Sequence, residues 1–154
     1  MSQRHCSSDL YVSRQMVTSR AFLHLSGRSP QVLMVFLTKR QVKRLKRPGS
    51  RGNKYEIINN GQIVFTYREA EKKYGLSAKV FGRAIDQLVR VGFLDIAKQG
   101  GGLEGDCTLY ALSERWRDYG TGKFQPAERP KGRPWTTRAT SPKGRGSAPP
   151  KGRG

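Results

Sequence analysis

The stretch that most limits how this chain can fold is residues 63–112, IVFTYREAEKKYGLSAKVFGRAIDQLVRVGFLDIAKQGGGLEGDCTLYAL. Thr66 followed three residues later by Glu69 is a capping box, which opens a helix over 67–74. Gly75 closes that helix, and Leu76 is placed to bury in the turn. Ser77 then caps a longer helix over 78–91, whose apolar face is Phe81, Ala84, Ile85 and Leu88. Gly92 ends it. Two strand-like runs, 93–97 and 108–112, flank a tip over 99–106 that holds four glycines.

A short helix, a tight turn, a longer helix and a glycine-tipped hairpin in this order describe a winged helix-turn-helix. The predicted class is therefore α+β. Upstream, Ser29 as cap and Pro30 at the first helical position start a further helix. Its apolar stripe is Val32, Val35, Phe36 and Leu37, extended by Val42 and Leu45, and Pro48-Gly49 stops it. A basic loop covers 51–54. Runs 55–58 and 63–65 around Asn59-Asn60-Gly61 predict a hairpin. Residues 1–28 read as a mostly irregular arm, with a patch at 21–25 that packs on the domain. Trp116, Tyr119 and Phe124 fold back on the core, which sets the domain at 29–124. Beyond it, 125–154 is a disordered basic tail by composition.

Charge points to the partner. The formal net charge is +19, yet residues 55–112 hold seven basic and seven acidic side chains. The excess lies in two flanks: 39–54 with eight basic and no acidic residues, and 123–154 with nine basic and one acidic. A neutral centre keeps a defined fold while cationic flanks attract polyanions. Two cysteines, Cys6 and Cys107, exclude a disulfide framework or a Cys-rich zinc site. With no secretory signal, they point to a reducing cytosol and a nucleoid-associated location. The longest apolar run, 32–37, is too short for a bilayer, so no membrane role is expected.

In the longer helix, Lys79, Arg83, Gln87 and Arg90 share the face opposite the buried one. Guanidinium matches guanine and the amide of glutamine matches adenine, so Lys79, Arg83 and Gln87 are the expected base readers. Arg90, Lys72, Lys73, Lys39, Arg40, Lys43 and Arg44 are expected on the DNA backbone. The acidic Glu104 and Asp106 make the hairpin tip a poor phosphate clamp. The tail repeats Pro-Lys-Gly-Arg at 130, 142 and 150. Its first copy, after Arg129, resembles an AT-hook, although Lys131 stands where arginine is commoner and the later copies end in glycine. That resemblance implies minor-groove or phosphate contacts by Arg129, Lys131, Arg133, Lys143 and Arg145.

Nothing in the sequence suggests catalysis, a cofactor or a metal: His5 and His24 stand alone, and no phosphate loop or nucleophile elbow is present. Over roughly 25–124, the chain resembles small bacterial winged-helix proteins associated with mobile elements. The resemblance is carried by SPQVLMVFLTKRQ, NNGQIVFTYREAEKKYGLS, FGRAIDQLVRVGFLDI, the GGG run and SERWRDYGT. It implies a non-enzymatic, sequence-preferring binder of double-stranded DNA that regulates transcription or replication. The alternative is an RNA-binding or ribosome-associated protein, and a third reading is a docking module. The sequence leaves the oligomeric state open, a homodimer included.

Overall fold

The computed structural model describes residues 10–45, 49, 54–100 and 106–130. Two one-turn helices come first, α1 (Arg14–Val17) and α2 (Arg20–Leu23), capped by the Ser13 and Ser19 hydroxyls. Ala21 is fully buried, and Met16, Phe22 and Leu25 pack against the core. Residues 10–28 are thus more regular than the expected arm. A single turn carries too little apolar periodicity to stand out in a sequence.

Helix α3 (Ser29–Lys39) starts one residue before the expected position, with Arg28 as its cap residue and Pro30 in its first turn. It stops at Lys39 instead of continuing to the Pro48-Gly49 signal. The stop comes from Asn59. Its Nδ2 donates to Lys39 O (2.9 Å) and its Oδ1 accepts from Gln41 N (2.7 Å), satisfying backbone groups freed at the helix end. The chain then runs as strand β1 (Val42–Leu45), antiparallel to β2 (Lys54–Ile57), with Val42 opposite Ile57 and Leu45 opposite Lys54.

The hairpin expected between 55–58 and 63–65 therefore does not form. Asn60 faces another strand, exchanging two hydrogen bonds with the Leu112 backbone (2.7 and 3.1 Å). Strand β3 (Ile63–Val64) pairs instead with β5 (Leu109–Leu112), and β5 also pairs with β4 (Leu94–Lys98). The result is a three-stranded antiparallel sheet in the order β3–β5–β4, separate from the two-stranded β1–β2 ribbon.

Between β3 and β4 lie α4 (Tyr67–Tyr74) and α5 (Ala78–Val91), with the bounds expected from the capping residues. Thr66 Oγ1 accepts from Glu69 N at 3.1 Å, and Ser77 Oγ from Val80 N at 3.4 Å. Gly75 and Gly92 end the two helices at φ +63° and +92°, the left-handed region that glycine enters without steric cost. A 3-10 turn, Arg115–Asp118, follows the sheet. The architecture is mixed α+β, with five α-helices and small antiparallel sheets among the described residues.

An edge-to-face chain of rings joins the layers. Phe36 of α3 meets Phe65 at 5.3 Å and Tyr110 of β5 at 5.0 Å; Phe65 meets Phe81 of α5 at 4.7 Å. Each buried phenylalanine contributes about 1.5–3 kcal/mol through apolar burial, and the ring geometry adds to it. Phe93 stacks on buried Trp116 (5.6 Å, 19°), so the 3-10 turn belongs to the core, with Tyr119 packed beside it.

Glu69 shows how part of the cationic flank is used internally. Both its carboxylate oxygens lie 2.8 Å from Lys39 Nζ, and Lys73 Nζ is 3.2 Å away. Burial works against its charge, but the hydrogen bonds from Lys39 and Lys73 outweigh it and lower its pKa below the ordinary 4.5. Folding is therefore stabilised by this carboxylate above pH 4.5, and the contribution fades as pH falls through the lowered folded value. Glu69→Gln is expected to cost about 1 kcal/mol at pH 7 in denaturant unfolding. The gap to wild type should narrow on acidification below pH 4.5. A difference that does not change with pH would mean the cations do not carry it.

Candidate nucleic-acid interface

Helix α5 separates its residues by periodicity. Phe81, Ile85, Leu88 and Val89 are buried against the core, while Lys79, Arg83 and Arg90 project to solvent. These three cations make no hydrogen bond or ion pair among the described residues. Arg83 and Arg90 line an open cleft of about 550 Å³ between α5 and the loop before α3, where Arg28 and Ser29 form the other wall. Three guanidinium groups thus border one groove.

Gln87 is placed differently from expectation. Its Oε1 accepts from Ser26 N at 3.1 Å, and its Nε2 donates to His24 O and Ser26 Oγ, both at 3.2 Å. Both ends of the amide are engaged by the loop, so Gln87 serves as a strut for the cleft wall. Reading an adenine edge would require breaking these bonds.

On the other flank of α5, the chain after the 3-10 turn returns to the helix. Arg129 Nε lies 2.8 Å from Asp86 Oδ1, and its Nη2 donates to Asp86 Oδ2 at 3.3 Å. Its Nη1 donates to Tyr67 Oη at 2.8 Å, and the Tyr67 ring stands edge-on to Phe81 at 4.9 Å. Burial works against the Arg129 charge, but the Tyr67 hydrogen bond and the nearby Asp86 carboxylate outweigh it, and its pKa is raised. Arg129, expected as a DNA contact in the tail, is instead half-buried and paired within the protein.

No family model, curated protein or solved structure matches this chain. Among the described residues, no group of three or more His, Cys, Asp or Glu side chains is placed to hold a metal. No helix there is long and apolar enough to cross a membrane.

The expected backbone contacts fall into two groups. Lys72, Lys43 and Arg44 are exposed, the first on α4 and the others on the ribbon. Lys39 is held by Glu69 and lies over the Phe65 ring at 5.1 Å, Lys73 pairs with Glu69, and Arg40 donates to Tyr11 O at 2.6 Å. Lys39, Lys73 and Arg40 thus make contacts within the protein. Lys43 and Arg44 sit on a strand and not on a helical end, because α3 stops early. Lys131, Arg133, Lys143 and Arg145 lie outside the described residues, as do the three Pro-Lys-Gly-Arg repeats beyond Pro130.

Sequence reasoning passed over Arg28, which lies outside the helical motif yet faces its groove. It also passed over Arg115. That guanidinium donates to Asp95 Oδ1, Val89 O (3.1 Å), Leu94 O (3.0 Å) and Gln125 O (3.0 Å). It binds the end of α5, the start of β4 and the returning chain together. Only the acidic Asp95 hinted at a partner, and nothing in the spacing indicated the carbonyls.

Proposed function

We propose that this chain is a winged-helix protein that binds double-stranded DNA and carries out no chemistry on it. In this reading α4, the Gly75 turn and α5 form the helix-turn-helix, and β4 and β5 form the wing. One observation carries the proposal: α5 presents Lys79, Arg83 and Arg90, exposed and unpaired among the described residues, opposite its buried face. The sheet order β3–β5–β4, with α4 and α5 between β3 and β4, supports it. An α-helix fits the major groove, where arginine matches the paired acceptors of guanine. Arg83, midway along the helix, is assigned to base edges. Lys79, Arg90, Lys72 and Arg28 are assigned to phosphates, with the β1–β2 ribbon adding Lys43 and Arg44.

This arrangement suits a regulator of transcription or replication, including one carried on a mobile element. Six phosphate contacts would give a salt dependence of duplex binding with a log–log slope of about −5. These six lie within the domain, so the seven basic side chains of residues 131–154 are expected to steepen the slope of the full chain beyond that value, and their removal to bring it back towards it without abolishing binding. A slope near zero for the full chain would overturn the reading. Preference for structured RNA over duplex DNA of equal length would replace it with the RNA alternative.

A further inference from the structure

Asp86 is the one acidic side chain on the solvent-facing side of α5, three residues after Arg83 and four before Arg90. At those spacings a carboxylate ordinarily pairs with arginines of its own helix. Here it does not: Arg129 takes both Asp86 oxygens, at 2.8 and 3.3 Å, and Tyr67 holds the far side of the guanidinium at 2.8 Å. Arg83 and Arg90 are left without a partner among the described residues. The residue bringing the counter-charge comes 43 positions later, immediately before the first Pro-Lys-Gly-Arg repeat.

We propose that Arg129 is an internal counterion and not a DNA contact. It neutralises Asp86 on the reading face, so that Arg83 and Arg90 stay free for the nucleic acid, and it fixes the point where the cationic tail leaves the domain. The inference rests on the DNA-binding reading above. Without Arg129, the Asp86 carboxylate either engages Arg83 or Arg90 or faces approaching phosphates, and each outcome weakens binding. The pair also holds the chain up to Pro130 beside α5.

The test is a double-mutant cycle on the full chain, reading affinity for a duplex selected by the wild-type protein, with thermal unfolding of every variant as a check on folding. Arg129→Ala is expected to weaken binding about tenfold, and Asp86→Asn in that background to restore it to within about twofold of wild type. Arg129→Gln, which keeps the length of the side chain, should behave like Arg129→Ala and serves if the latter does not fold. Tyr67→Phe, which removes only the hydroxyl holding Arg129, is expected to act in the same direction and less strongly. If Arg129 touches DNA itself, its loss costs the same with Asp86 or Asn at position 86, and the proposal is overturned while DNA binding stands. No effect of Arg129→Ala or Arg129→Gln overturns it as well. If the wild-type chain binds no duplex, the DNA reading fails and the counterion role goes with it.

Discussion

Gly92→Ala is expected to be the most damaging single methyl group in the domain, costing about 3 kcal/mol or more. Gly92 sits at φ +92°, where an L side chain is strained before any neighbour is considered. A Cβ there would also lie 2.7 Å from Trp116 N and 2.9 Å from Arg115 C. Those are backbone atoms and cannot rotate away. Gly92 O accepts from Trp116 N at 3.1 Å, and Trp116 is stacked on Phe93, so the backbone cannot retreat without opening the core. For a domain of this size the loss corresponds to a fall in melting temperature on the order of 15 °C. Gly75→Ala is the matched control: φ is +63° but nothing lies within 4 Å of the added carbon. It should lose only the backbone strain, about 1 kcal/mol. Equal losses at the two positions would show that the close approach to residues 115 and 116 does not matter.

Arg83→Glu is expected to have the largest effect on DNA binding, a loss of about 100-fold on a preferred duplex. Arg83 is exposed midway along α5, lines the cleft and has no partner among the described residues. On the proposed DNA-binding reading, reversing it would remove a two-pronged contact to a base and put a carboxylate among phosphates. The milder Arg83→Ala separates the two terms. A base reader loses discrimination, so binding to the preferred duplex falls while binding to a scrambled duplex changes little. A phosphate contact weakens both by the same factor and makes the salt slope shallower. The comparison is made by anisotropy titration on both duplexes at one ionic strength. A change of less than about twofold for Arg83→Glu on the preferred duplex would remove α5 as the reading element.

Where local chemistry decides structure, the residues themselves were enough. Thr66, Gly75, Ser77 and Gly92 set both ends of α4 and α5, because caps and left-handed glycines act within one turn. The apolar spacing of Phe81, Ala84, Ile85 and Leu88 marked the buried side of α5, and with it the outward positions of Lys79, Arg83 and Arg90.

Pairing across distance could not be read that way. Val42 and Leu45, three apart, fit a helix as well as a strand, and only Asn59, folded back on Lys39 and Gln41, ends α3 and leaves 42–45 to pair with 54–57. Asn59-Asn60-Gly61 has turn chemistry, but which strands it joins depends on where Asn60 meets Leu112. The same holds for the site. Helical spacing placed Gln87 beside the arginines, whereas the loop at 24–26 closes on its amide; composition places Arg129 in the basic tail, whereas the fold seats it on Asp86 and Tyr67. Caps and periodicity are short-range and survive in one dimension, while the partner of a side-chain hydrogen bond or of a strand edge exists only after distant segments have been packed together.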